Sequence, residues 1–216
     1  MKTTLAFTML VLASGLPAFA QDYPRAETFF GYEYYRANSA TNVPAFSANG
    51  GSGQFAINAN KWIGFVADVG AVHNGNISDI HLDTTLTHFV FGPRVSLRYS
   101  RITPYFNILF GGVHGGTSIQ VSAIPVPPSA TQPIYLPGVG TVPPNTPVSL
   151  RATASQTAFA MATGGGLDIK INKHVSFRPI GLDYFLTRLQ NLRSAEDNNQ
   201  HNLRYTTGFN FTFGAQ

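Results

Sequence analysis

Eight segments of this sequence alternate apolar residues with small or polar residues at a period of two. The clearest is the last, where every second position from Leu203 to Phe213 is aliphatic, aromatic or threonine and the positions between are small or polar. Successive side chains of a strand point to opposite faces, so this period predicts strands with one apolar face and does not fit a helical or βαβ chain. The segments cover about 27–36, 54–60, 63–70, 88–99, 103–113, 159–171, 180–187 and 202–213.

The connections between these segments alternate between tight turns and longer gaps. The turns lie at Asn60–Trp62, Ser100–Arg101 and Asn172–Lys173, and the long gaps at 37–51, 74–83, 114–156 and 189–200. Short turns at one end and long loops at the other are typical of outer-membrane barrels, and about ten residues tilted by about 40° span the roughly 25 Å of the lipid-facing band. The sequence therefore predicts an all-β fold, an eight-stranded antiparallel up-and-down transmembrane β-barrel, with both termini at the end of the short turns.

The N-terminus has the features of a secretory signal peptide. A basic residue near the start precedes an apolar run from Leu5 to Leu16, and Ala18–Ala20 fits the small-x-small cleavage rule. A membrane anchor is the alternative, but a helical span needs about 20 apolar residues, and this run is shorter. We therefore predict a signal peptide at 1–20 and one barrel domain at 21–216.

The composition excludes several classes of protein. Charged residues make up 11% of the chain, against about 25% in an average soluble domain. The absence of cysteine rules out a disulfide scaffold, a thiolate metal site and a cysteine nucleophile. A net charge of +4, scattered along the chain, does not point to a nucleic-acid partner.

The charged residues of the strands fall on the face opposite the apolar one. An eight-stranded barrel is narrow enough for side chains to fill it, and buried charges there must pair, because removing one partner costs about 3–5 kcal/mol. Four acids and four bases predict a filled, salt-bridged interior rather than an open channel. The predicted interior charges are Glu33, Asp68, Arg94, Arg98, Asp168, Lys170, Asp183 and Arg204.

The seventh segment departs from this pattern near Pro179. Val175 and Phe177 have the wrong parity for the apolar face, and proline cannot donate a hydrogen bond to a neighbouring strand. We therefore expect a β-bulge near Pro179. Arg178 is the one exception to the charge pattern, and its position near a turn predicts that lipid headgroups solvate it.

The sequence carries no established catalytic or cofactor motif. It has no P-loop, HExxH or GxSxG sequence. The spacing of His73, Asp79, His81 and Asp83 matches no metal-ligand pattern. Three histidines lie near loop ends with two hydroxyl residues available, but their spacing singles out no triad: His88, His114, His201, Ser118 and Thr157. We therefore predict no catalytic residue, no cofactor and no metal.

The long gap at 114–156 is unusual in composition. It holds eight of the chain's 14 prolines, and Ile124–Pro128 favours polyproline II or disorder. Its apolar residues suggest a segment that docks an extracellular partner. A tolerated surface insertion is the alternative, because long loops cost little entropy.

Several motifs resemble those of a known family. These are Phe89–Arg94, Thr103–Tyr105, Gly164–Asp168, Asp183–Tyr184 and the closing Leu203–Phe213. They resemble small bacterial outer-membrane β-barrel proteins, the OmpA-transmembrane-domain and OmpX-like group. The resemblance implies a bacterial outer-membrane location, contact with membrane lipid and lipopolysaccharide, and recognition by the barrel-insertion machinery. In that family the closing strand is the assembly signal, here carried by Tyr205, Phe209, Phe211 and Phe213.

These observations together predict a non-enzymatic structural or surface-interaction barrel. A narrow porin-like pore for ions or small solutes is one alternative, and a lipid A-modifying enzyme is another. A secreted lipocalin-like binder would need its bulky apolar face inward and a charge-rich exterior, which a charged fraction of 11% does not supply.

Overall fold

The computed structural model describes residues 23–38, 45–75, 77, 82–123, 132–136, 139–189 and 199–214. Its strands are β1 (Ala26–Ala37), β2 (Phe46–Asn58), β3 (Ile63–Asn74), β4 (Leu82–Ser96), β5 (Ile102–Ala123), β6 (Ile134–Leu136), β7 (Gly140–Val142), β8 (Val148–Lys170), β9 (Val175–Thr187) and β10 (Gln200–Phe213). Eight of them close into a barrel in the order β1-β2-β3-β4-β5-β8-β9-β10, and β6 pairs with β7 separately. All these pairings are antiparallel, so the predicted fold class is confirmed. The predicted signal peptide at 1–20 lies outside the described residues.

The alternation of the sequence becomes an apolar exterior and a mixed interior. On β4, Phe91 is 52% exposed on the outside, while its neighbour Val90 is 1% exposed and points inward. The other outward apolar positions follow the same rule around the barrel, including Phe30, Phe55, Phe65, Val69, Phe89, Phe106, Phe110, Phe159, Leu182, Leu203 and Phe209. Within the described residues no helix is long and apolar enough to cross a membrane.

The short turns, the start of β1 and the end of β10 lie at one end of the barrel. The Asn60 side-chain oxygen accepts hydrogen bonds from the backbone N–H groups of Trp62 and Ile63, at 2.8 and 2.9 Å. Asn172 does the same for His174 and Val175 in the β8–β9 turn. These asparagine caps close the tight turns. Because short turns face the periplasm in barrels of this type, we call this end the periplasmic rim.

The bulge expected near Pro179 is present in β9. The register shifts between Thr206 and Gly208 on one side of β9 and between Leu167 and Ile169 on the other. The extra residue reverses the facing of the N-terminal part of β9, so the expected position of Arg178 among lipid headgroups is wrong. The Arg178 side chain is fully buried inside the barrel.

The predicted loop at 114–156 is strand at both of its ends. β5 has 22 residues and β8 has 23, and they pair from Ile102↔Ile169 up to Ala123↔Val148. β4 follows β5 only to Leu82↔Ile119, and β9 reaches β8 only at Ala160. The loop prediction is therefore corrected, although residues 124–131 and 137–138 lie outside the described part. We call β5 from residue 114 and β8 up to residue 158, which continue beyond the end of β9, the protruding sheet.

Candidate functional site: a filled barrel and a protruding sheet

Arg204 is the centre of a buried charge network at mid-barrel. Its side chain, on β10, is fully buried. One of its terminal nitrogens lies 2.7 Å from the Asp68 carboxylate of β3 and 2.8 Å from the Asp183 carboxylate of β9. Its Nε donates a further bond of 3.0 Å to Asp183. β3 is thereby joined across the interior to the neighbouring strands β9 and β10.

His88 lies beside this network on β4. Its ring nitrogens are 3.6 Å from Glu33 and 3.4 Å from Asp68, and all three side chains are buried. Neither carboxylate oxygen of Glu33 has a hydrogen-bond partner among the described residues. Sequence reasoning treated His88 only as a histidine near a loop end, although its parity is the same as that of Arg94.

A second buried network lies nearer the periplasmic rim. Arg178 donates two hydrogen bonds to Asp168, at 2.7 and 3.2 Å, and one of 2.9 Å to the Gln54 side-chain oxygen. Arg94 donates to the same oxygen at 2.6 Å. Both guanidinium groups stack on the Tyr105 ring at 4.4 Å from its centroid. Two like charges are thus held together by a shared acceptor and an aromatic face.

The remaining predicted charges lie at the periplasmic rim. Arg98 is half-buried and ion-paired with Glu27, a buried residue that the sequence analysis did not include. Lys170 is exposed at the end of β8, where its ammonium donates to the Tyr99 carbonyl at 3.2 Å. Lys170 is therefore not part of the buried interior, contrary to its predicted place. Of the eight predicted residues, six are buried: Glu33, Asp68, Arg94, Asp168, Asp183 and Arg204.

Above the Arg204 network an apolar layer fills the barrel. Tyr35 of β1 packs edge-on against Phe185 of β9, with ring centroids 5.7 Å apart. The layer is completed by buried aliphatic side chains from the other strands, including Val72, Leu86, Leu109 and Val113. Charged, aromatic and apolar layers therefore follow one another along the barrel axis.

The closing-strand aromatics face outward, and the histidines do not converge. Tyr205, Phe209, Phe211 and Phe213 lie on the outer face of β10, paired with β1 from Ala26↔Phe213 onward. His114 and Thr157 form an exposed hydrogen bond of 2.8 Å between β5 and β8. His201 contacts Tyr184 on the exterior, while His88 is inside the barrel. The candidate catalytic residues are thus spread over separate places.

No family model matches the chain, and no curated protein matches it by sequence. The structure is similar to that of Ail, the attachment invasion locus protein of Yersinia pestis, with a TM-score of 0.54 and 14% identity over 88% of this chain and 99% of Ail. It is also similar to Neisserial surface protein A, with a TM-score of 0.59 and 13% identity over 89% of this chain and all of that one. The chain has the fold of these small eight-stranded outer-membrane barrels.

The predicted bacterial outer-membrane location agrees with this fold and with the apolar exterior. A closed barrel satisfies its backbone hydrogen bonds internally, which hydrocarbon requires of any chain that spans it. At these identities the likeness concerns the fold, so the function must come from the residues of this chain.

Proposed function

We propose that this protein is a non-enzymatic surface-interaction barrel whose protruding sheet binds an extended segment of an extracellular partner. One observation carries the proposal. Thr153, Ser155 and Thr157 of β8 have no strand partner, among the described residues, on the side away from β5. An open strand edge is a row of free backbone donors and acceptors, which bind another strand by β-augmentation.

The direction of the backbone groups can be read from the pairing. The Phe159 carbonyl accepts a hydrogen bond from the Arg188 N–H on the β9 side, at 3.0 Å. Because backbone groups alternate in direction along a strand, Thr153, Ser155 and Thr157 also present their N–H and C=O groups on that side. These residues lie on the part of β8 that continues beyond the end of β9, so their backbone groups form the open edge.

The edge lacks the usual features that protect strand edges. Natural edges are blunted by proline, bulges or charged side chains. From Val148 to Phe159 the strand has no proline, and its one charged residue is Arg151. Arg151 is turned toward the sheet, where it donates to the Ser118 hydroxyl at 2.7 Å and lies 3.7 Å from the Asp83 carboxylate. The composition of the edge therefore favours pairing.

Replacing Ser155 with proline is expected to abolish strand addition, because it removes an N–H group on the open edge and none that pairs with β5. We would select twelve-residue peptides from a random library against the folded barrel and measure their affinity. Binding should fall at least about tenfold in S155P and stay unchanged in the side-chain control S155A. Equal binding to S155P would show that the edge is not the site.

The pore alternative gives a separate expected result. The interior is filled by the Arg204 network, the Arg178 network and the apolar layer, so we expect no conductance steps in planar bilayers. A sixteen-stranded porin inserted under the same conditions supplies the positive control. Steady, reproducible openings of the purified barrel would favour a transport role over a surface-interaction role.

A further inference from the structure

A cavity of about 390 Å³ opens at the periplasmic rim. Its walls are formed by the start of β1 and the residues just before it, by the end of β10, and by the β4–β5 and β8–β9 turns. The residues that matter here are Glu27, Arg98, Tyr99, Lys170, Lys173 and Asn210. The volume is within the range of small-molecule sites.

The charges inside the barrel are segregated along its axis. The central layer holds the carboxylates of Glu33, Asp68 and Asp183 around Arg204 and His88. Toward the periplasmic rim lie five cations and two carboxylates, of which Lys170 and Lys173 are exposed at the rim and not inside the barrel: Arg94, Arg98, Lys170, Lys173 and Arg178 against Glu27 and Asp168. The cavity lining itself carries Arg98, Lys170 and Lys173 against Glu27 and Asp168, a net charge of +1, and the buried Arg94 and Arg178 behind it raise the local excess to three positive charges.

The two carboxylates that line the cavity are already paired. Glu27 is ion-paired with Arg98 and accepts hydrogen bonds from Asn58 at 2.8 Å and Asn210 at 2.9 Å. Asp168 is held by two bonds from Arg178. Their charges are thus neutralised by arginines within the wall.

The two lysines of the cavity lining have no acidic partner in the part of the chain that the structure describes. Among the described residues, no carboxylate lies within 4.0 Å of the ammonium of Lys170 or Lys173. The Lys170 ammonium is anchored to the Tyr99 carbonyl, and the Thr212 hydroxyl donates to the Lys173 carbonyl at 3.0 Å, which fixes the turn. Within the described residues, Lys170 and Lys173 thus bring two ammonium groups without ion-pair partners to one opening.

We propose that this cavity binds a phosphate group at the periplasmic rim, with Lys170 and Lys173 as its main contacts. A phosphate monoester carries about −1.5 to −2 charges and three acceptor oxygens, and the phosphodiester of a lipid headgroup carries a single negative charge, so both complement the local excess of positive charge. Lysine binds phosphate as a mobile point charge, and the hydroxyls of Ser100 and Thr103 in the cavity lining can supply neutral donors. The phosphate can belong to a soluble phosphate ester of the periplasm or to a phospholipid headgroup of the periplasmic leaflet.

The test measures two phosphate sources on the folded barrel. In maltoside micelles, isothermal titration and ³¹P line broadening would follow binding of sn-glycerol 3-phosphate. In a second arm, native mass spectrometry would count phosphatidylglycerol molecules retained after extraction from mixed phosphatidylcholine vesicles. The probe variant is K170Q/K173Q. The matched control is K61Q/R101Q, which removes the same charge from turn residues outside the cavity lining.

We expect K170Q/K173Q to weaken binding at least about tenfold, the size of effect that one charge-assisted contact produces, and K61Q/R101Q to change it less than about twofold. Binding of glycerol phosphate identifies the soluble source, and retention of phosphatidylglycerol alone identifies the headgroup. The proposal is overturned if neither probe binds the wild-type barrel. It is also overturned if the control pair loses as much affinity as the cavity pair.

Discussion

Replacing Arg204 with methionine should lower the free energy of unfolding by about 3–5 kcal/mol. The guanidinium is fully buried and lies within 2.8 Å of both Asp68 and Asp183. Without it, two buried carboxylates face each other with no arginine between them. Urea unfolding in lipid vesicles would measure the change, with the fluorescence of Trp62, the only tryptophan, as the signal.

Two further variants separate the network from a general loss of charge. R151M removes an arginine that is 66% exposed on its side chain and 3.7 Å from Asp83, and should cost less than about 1 kcal/mol. Adding D68N and D183N to R204M should recover most of the lost stability, because neutral amides are far less costly to bury than carboxylates. A triple variant as unstable as R204M would show that packing, and not charge, determines the loss.

The alternation of the sequence was sufficient to predict the barrel and the facing of most side chains. A shift of one residue moves every side chain to the other face, so a period of two sustained over a segment fixes which residues point inward. Glu33, Asp68, Asp168, Asp183 and Arg204 are accordingly buried where their parity puts them. This prediction of facing uses only the alternating direction of side chains along a strand and the need for apolar side chains where a strand faces lipid.

Arg178 shows where this reasoning stops. A bulge places two residues of one strand opposite one of the next, so parity counted from Ile180 gives the wrong face for everything before Pro179. Proline signalled the bulge, but the sequence does not reveal how many residues it spans. The partner of Asp168 was therefore missed, and the predicted balance of four acids and four bases omitted a fully buried cation.

Besides the size of the bulge, the alternation of the sequence does not predict how far along the barrel axis a residue lies. Lys170 has inward parity, yet it lies beyond the filled section and is exposed. Glu27 lies at the boundary of its predicted segment and is buried. The separation of acids at mid-barrel from cations at the periplasmic rim follows from the stagger between strands, which only the register provides.

The protruding sheet was missed for a related reason. A strand outside the membrane has no lipid-facing side, so its sequence has no need to alternate. The β5 stretch from Gly115 to Ser118 contains glycines and hydroxyl residues instead of alternating apolar ones. Pairing with β8 continues through this stretch, from Gly115↔Gln156 to Ser118↔Thr153. Backbone pairing, together with side-chain bonds such as His114–Thr157 and Arg151–Ser118, thus extends the sheet where hydrophobic periodicity ends.

Replacing Phe91 with arginine should cost about 2–4 kcal/mol of stability in lipid, because it puts a charge on the outer face near mid-depth. Phe91 pairs with Ala67 of β3 and Phe110 of β5, away from both ends of β4. The same urea titration, followed through Trp62, would measure the change.

The matched control is Leu97→Arg, on the same outward face beside the β4–β5 turn. Near the headgroups an arginine costs only about 0–1 kcal/mol, since its side chain can reach water. The difference in the free energy of unfolding between F91R and L97R therefore measures how deep Phe91 lies in the membrane, in addition to showing that it faces outward. If L97R were as unstable as F91R, the apolar exterior would not be a lipid-facing band. If both variants were as stable as wild type, Phe91 would not face hydrocarbon.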